Sequence, residues 1–176
     1  GAESVANNPE VLKALATSDR DRLLELCLPI YNNVSTVSGV SQFGFVDENL
    51  HSFLLLDNPE QFGDDMSHRT ALNRVGEAGQ SIFGLDEGQS GFSFRAVIPL
   101  FSQHQFIGAF EYGIELEEKF LKRLRRTTDA EFFLYKLEAG KSTLLAGTLA
   151  EDEFPVQPDV IEQAMSSLNP YNKNTE

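Results

Sequence analysis

The chain has 176 residues, is 41% hydrophobic with 14 Phe, and carries a formal net charge of −13. That length suits one domain, or one domain with an appendage, and the apolar content can fill a sizeable core. The acidic balance argues against nucleic acid as a partner, because phosphate affinity needs clustered Lys and Arg, and against docking on an anionic membrane surface.

No apolar run approaches the ~18 residues of a transmembrane span, and no signal peptide is visible. A chain that opens GAESVANNPE, without Met, is expected to be a piece of a longer protein. The single cysteine, Cys27, can form neither an internal disulfide nor a CxxC site. Among Leu23, Leu24, Leu26 and Leu28 it reads as a small buried hydrophobe.

NNPEVLKALATSDRDRLLELCLPIYNNVS, residues 7–35, reads as helix. Asn8 can cap, Pro9 fits a first turn, and Glu10 suits the positive end of the dipole. Ser18 with Asp21 resembles a capping box. Leu12, Leu15, Leu23, Leu26 and Ile30 can share an apolar face, with a break or kink near residues 17–19. Strands follow at 40–46 and 51–56, joined by the turn Asp47-Glu48-Asn49. DNPEQFGDDMSHRT is turn-rich, and Ser67 is expected to cap a helix that ends at Gly79. A short strand at 81–85 and a glycine-rich bend precede a hairpin of strands 92–101 and 105–113. Pro99 in the first of these argues for an edge position or a bulge near the strand end. IELEEKFLKRLRRT reads as a short helix with Leu116, Phe120 and Leu124 on one face. Beyond it come two strands around Glu138–Lys141, a two-proline loop, a helix at 160–168 and a polar tail.

Catalytic machinery is scarce. The histidines, His51, His68 and His104, fall at a strand start, a helix start and a turn, and no nucleophile–base pair can be nominated. No G-x-S-x-G, P-loop or H-E-x-x-H occurs. Asp64, Asp65 and His68 lie within five positions but match no fixed ligand spacing, so turn and cap roles compete with a metal. No cofactor is expected.

The arginines are more informative. Strand alternation puts Arg95 on one face with Ser93 and Val97. Phe92, Phe94, Ala96, Ile98 and Leu100 take the other face, which should be core. An even-numbered turn in the hairpin would set Tyr112 opposite Arg95, and an odd-numbered one Glu111. A guanidinium in a sheet must be neutralised. Either Glu111 or another carboxylate pairs with it internally, or it waits for a ligand carboxylate, which its planar fork matches. Both readings stand on the residues alone.

The order DNPEQFGDD…R…GQSGFSFRAVIPLF…FIGAFEYG, after a long helix with D-R-D-R-L, resembles Cache domains. These are PAS-like extracytoplasmic sensors of prokaryotic chemoreceptors, sensor histidine kinases and diguanylate cyclases. The resemblance spans roughly residues 8–125 and is nearest in layout to the branch that senses citrate and C4-dicarboxylates. It implies that the arginine on the strand before the proline, Arg95, holds a ligand carboxylate. The basic pair that branch carries just before its Pro-Glu loop is replaced by Leu55-Leu56-Asp57-Asn58. That departure points from di- and tricarboxylates toward a monocarboxylate, an amino acid or an amine-bearing zwitterion. Asp57 or Glu111 would then take the ammonium.

The expected fold is α/β of the α+β kind. A PAS-like Cache module at 1–127 packs its long N-terminal helix on a roughly five-stranded antiparallel sheet. Residues 128–176 are an extension or the truncated start of a second module. The expected function is small-molecule sensing for a transmembrane receptor, without catalysis, in an extracytoplasmic location and as a homodimer. The membrane would be reached only through flanking spans. Candidate ligand residues are Arg95, Arg69, Asp57, His68, Tyr112, Glu111, Phe110 and Phe83. A receptor interaction domain with no ligand is the competing reading.

Overall fold

The computed structural model describes residues 2–88, 91–139, 141–149 and 159. The helix expected at 160–168 and the polar tail lie outside the described residues.

The chain opens with three helices, Ala2–Ala6 (α1), Pro9–Ala16 (α2) and Arg20–Ser38 (α3). Asn8 caps α2 by accepting the N–H of Glu10 at 2.9 Å, with Pro9 in the first turn. The break expected near 17–19 is present, and it decides the next cap. Ser18 takes a positive φ of 54°, so Asp19 accepts the Arg22 N–H at 3.1 Å. The Ser18–Asp21 box is therefore not the cap. Ser18 is spent on the left-handed turn that lets α3 change direction. α3 runs for 19 residues and ends at Gly39 in the left-handed conformation.

Next come strands Gln42–Asp47 (β1) and Ser52–Leu55 (β2), helix Thr70–Ala78 (α4), and strands Ile82–Gly88 (β3), Gly91–Ser102 (β4) and Gln105–Glu115 (β5). They form one antiparallel sheet in the order β2-β1-β5-β4-β3. The expected five-stranded α+β architecture is the observed one. Asp47 tightens the β1–β2 turn, its Oδ1 accepting the N–H groups of Asn49 and His51 at 2.9 Å each. The expected Ser67 cap is not used. Arg69 occupies the N-cap of α4, and its side chain makes no capping hydrogen bond to the helix. The Ser67 N–H donates to Asp65 Oδ1 at 2.8 Å, which commits Ser67 to a turn before the helix begins.

Alternation sorts the sheet into two faces. On one, α1–α3 cover a core that includes Leu23, Phe43, Phe45, Leu54, Leu100 and Phe110. Phe43 and Phe110 meet edge to face at 4.8 Å between ring centres. On the other face, Leu72 and Val75 of α4 pack on Val46, Val97 and Ala109. The helix layer does not reach β3 or the start of β4. Phe94, expected in the core, is 54% exposed, as are Phe83 at 67% and Leu85 at 57%. Pro99 lies beyond the last β3–β4 pair, Ile82 with Val97, so no strand flanks it on that side. The register shifts just after it, between Leu100 and Phe101.

Contacts divide the chain into compact units Gly1–Glu115 and Leu116–Glu176. The second holds helix Glu118–Thr128 (α5) and the hairpin Phe133–Glu138 (β6) with Lys141–Gly147 (β7). Leu121 is the buried residue of α5, and Phe120 and Leu124 are half-buried.

Gly108 sits at the β5 irregularity with φ of 134°, and a Cβ there would stand 2.1 Å from the Val46 carbonyl oxygen. Gly108→Ala should therefore cost about 2 kcal/mol or more in urea unfolding, through both strain and forced separation of β1 from β5. Cys27 is fully buried, and burial pushes its thiol from 9.0 up to about 12. The folded state keeps the thiol neutral while the unfolded chain ionises, so this contribution is intact below pH 9.0 and lost as pH rises toward about 12. A thiol reagent near neutral pH should label Cys27 in denaturant and leave it untouched in the native protein.

Candidate functional site

α4 covers only part of its face of the sheet. Over the rest lies a cavity of about 930 Å³, floored by β1, β5, β4 and β3 and walled by residues from 55 to 71. The wall is the β2–α4 connection, which is laced to β2. The Ser52 N–H donates to the Asp64 carbonyl at 2.8 Å, and the Gly63 N–H to the Ser52 carbonyl at 2.7 Å. Gln61 Nε2 donates to Asp64 Oδ2 at 2.8 Å.

Four charges meet on the floor. Arg69 Nη1 donates to Glu111 Oε2 at 2.7 Å, and its Nη2 lies 3.4 Å from Asp86 Oδ2. Arg95 Nη1 lies 3.2 Å from the same Asp86 oxygen and 3.8 Å from Glu111 Oε1. The result is a ring of alternating sign: Arg69, Glu111, Arg95, Asp86. Register explains it. Arg95 is opposite Gly113, neither of the partners considered from the turn, and Val97 is opposite Glu111. Glu111 is thus the diagonal neighbour of Arg95 on one face, within reach of two long side chains. Asp86, opposite Ser93 on β3, flanks Arg95 from the other side. The N-cap position of Arg69 brings the second guanidinium down from the wall.

The side chains of Arg69, Arg95 and Glu111 are 14%, 12% and 10% exposed, and that of Asp86 is 40% exposed. Burial, and next the like charge of Arg69, pull the Arg95 guanidinium below its ordinary pKa, against Glu111, Asp86 and Glu115. Polar valences remain. Arg95 Nε, Glu111 Oε1 and Gln42 Oε1 are buried and make no hydrogen bond. Gln42 reaches the floor because Gly113, its partner on β5, has no side chain; a Cβ there would stand 2.8 Å from Gln42 Oε1.

Of the residues singled out in the sequence, Arg95, Arg69, Glu111, Asp57 and His68 line this cavity together. Phe110 and Tyr112 do not. They face the helix layer, where they pack with Phe43. Phe83 also points to that side, and it is exposed because the helices stop short of β3. Adjacent strand residues point oppositely, so Glu111 and Phe110 or Tyr112 cannot share a wall. Asp86, Gln42, Glu87 and Glu115 are cavity residues that sequence reasoning missed. The period-two step from Gly84 to Asp86 was a signal, but only the β3–β4 register sets Asp86 beside Arg95. Asp65 accepts hydrogen bonds from Ser67 that hold its carboxyl below the usual range. Among the described residues, no group of three His, Cys, Asp or Glu side chains is placed to hold a metal ion.

The dCache_3 family, described as a double sensory domain of two-component sensor kinases, matches residues 1–164. The chain belongs to this family of sensor domains. Comparison with curated protein sequences gives no match. Among solved structures, the sensor domain of the V. cholerae histidine kinase DctB is similar at 14% identity and a TM-score of 0.60, over 96% of this chain and 68% of that one. The E. coli DcuS sensor domain is similar at 15% identity and 0.55, over 73% and 90%. The periplasmic domain of Vibrio cholerae LuxQ follows at 16% identity and 0.53, over 92% and 75%. These likenesses show the Cache fold. Among the described residues, no helix is long and apolar enough to cross a membrane.

The charge ring of this Cache domain makes a stability prediction. Glu111→Gln leaves two close guanidiniums sharing one half-exposed carboxylate, and should cost about 2 kcal/mol in urea unfolding. Asp86→Asn removes a charge that water already screens, and should cost about 1 kcal/mol or less.

Proposed function

We propose that this chain is an extracytoplasmic sensing module of a transmembrane signalling receptor, and that it binds a small amino-acid-like zwitterion in the cavity over the sheet. The observation that carries this reading is the pairing of free valences on one buried floor. Arg95 Nε is a donor without an acceptor, and Glu111 Oε1 is an acceptor without a donor. A ligand carboxylate answers the first and an ammonium the second. Buried polar groups left unmade are costly, so a ligand that completes both has a free-energy reason to bind.

Signalling would be a ligand-biased population shift, limited by the ligand's differential affinity for the two states. The connection to the long helix supports that route. Arg20, first residue of α3, donates from Nε to the Phe53 carbonyl at 2.9 Å, and its guanidinium sits 4.1 Å from the centre of the Phe62 ring, next in the chain to the cavity residue Gln61. A ligand that competes for Arg69 would move the wall and, through Arg20, bias α3. The 19-residue α3 supports a homodimer in the full receptor. The residues from Thr128 on would extend this module or begin a second one.

A receptor interaction domain without a ligand is favoured by one observation: both arginines already have carboxylate partners. A thermal-shift screen of amino acids, small carboxylates and amines separates the readings. A ligand should raise the melting temperature with its concentration, by about 2.7 kcal/mol of stability at a hundredfold excess over Kd. Arg95→Lys, which keeps the charge and loses the fork, should abolish the response with little change in the ligand-free melting point. A flat response across the panel supports the interaction domain.

A further inference from the structure

We infer that the ligand of this cavity is net cationic: a small amine whose primary ammonium sits against Glu111 and whose excess positive charge is matched by an acidic wall. This rests on the ligand-sensing reading above and shifts its ligand class from a neutral zwitterion to a cation.

The first observation is the charge lining the cavity. Asp57, Asp64 and Asp65 stand on the wall, Asp86 on β3, and Glu111 and Glu115 on β5. Against these six carboxylates stand two guanidiniums, Arg69 and Arg95, so the lining holds four more carboxylates than guanidiniums. Both guanidiniums are engaged with Glu111 and Asp86. An incoming anion would have to displace an internal carboxylate and then lie in a negative field, and a concave site of one sign focuses that field. A cation meets neither obstacle.

The second observation is independent of the count. Glu111 is 8% exposed, and its Oε1 has no hydrogen-bond donor. Gln42 Oε1, on the neighbouring strand and the same face, is a second buried acceptor without a donor. The orientation of the Gln42 amide is set by its other end, since Nε2 donates to Glu115 Oε1 at 3.3 Å. Reversing it would bring two oxygens together. Gln42 pairs with Gly113 and Gly44 with Glu111, so the two acceptors are diagonal neighbours across β1 and β5. A primary ammonium has three donors and no acceptor, which suits such a pair.

A neutral zwitterion would satisfy Glu111 and Arg95 yet leave the outer wall, with Asp57, Asp64 and Asp65, unanswered. A molecule with a further ammonium several carbons away would answer it, and a cavity of about 930 Å³ admits one that long. Two sources share this chemistry, a basic amino acid and an aliphatic diamine.

Titration calorimetry of the purified chain tests the inference with L-lysine, 1,5-diaminopentane, L-norleucine, L-glutamate and calcium chloride. Norleucine has the lysine carbon chain without its distal ammonium. Lysine or the diamine should bind at least about tenfold tighter than norleucine, and that advantage should shrink several-fold from ~50 to ~500 mM NaCl. Lysine well ahead of the diamine identifies a basic amino acid as the source, and the reverse identifies a diamine. Asp57→Asn should weaken the cation about threefold or more, and by a larger factor than it changes norleucine. Norleucine equal to lysine and ahead of the diamine overturns the cationic inference and keeps the amino-acid reading. Glutamate binding tightest overturns the inference in favour of an anion. Calcium binding with no response to any amine overturns it in favour of a metal. Silence across the whole set overturns the sensing reading itself, and this inference with it.

Discussion

The buried guanidinium of Arg95 is the constraint on which the cavity depends. A permanent charge on the floor of a sheet needs carboxylates close by, and every neighbouring element is bent to supply or balance them. Glu111 comes from the next strand by diagonal pairing, and Asp86 from the strand on the other side. Two carboxylates near one guanidinium then make room for a second, Arg69, delivered from the N-cap of α4. The floor is therefore set by strand register and the wall is tied to the floor by one arginine.

The rest of the module makes that ring possible. The α1–α3 layer and its aromatic cluster bury one face of the sheet and hold the strands in register. On the opposite face, among the described residues, an apolar cluster forms where α4, Leu50 and Met66 pack on the strands. Stability comes from one side, so the other can keep polar groups, free valences and a cavity. That division suits a sensor, whose binding surface must be poised between two states, neither too stable to be moved by a ligand.

Much of the fold was legible in the sequence. The Asn8-Pro9 start, the glycine that ends a helix at 79, and the alternation of β4 and β5 are local signals, and each appears where its physics requires. Legibility failed where a local rule had competitors. Ser18 and Asp19 are both good caps, and the turn between α2 and α3 chose Asp19. Ser67 gave way to an Asp65 turn. The alternation in β4 marked two faces correctly, but the extent of the helix layer left Phe94 exposed.

The site divides in the same way. Residue type and period alone determined that Arg95 needed neutralising and that Glu111 was a fitting partner, because a charge among apolar residues is conspicuous in one dimension. The family resemblance rested on that same stretch and on the loop before α4. What only the tertiary structure decided is the company Arg95 keeps. Whether Glu111 lies opposite or diagonal to it depends on the register of two strands, and Asp86, Gln42 and Arg69 arrive from elements with no local signal that they would meet. Side-chain period is a property of one strand, whereas the sign and shape of a cavity are properties of five strands and a loop together.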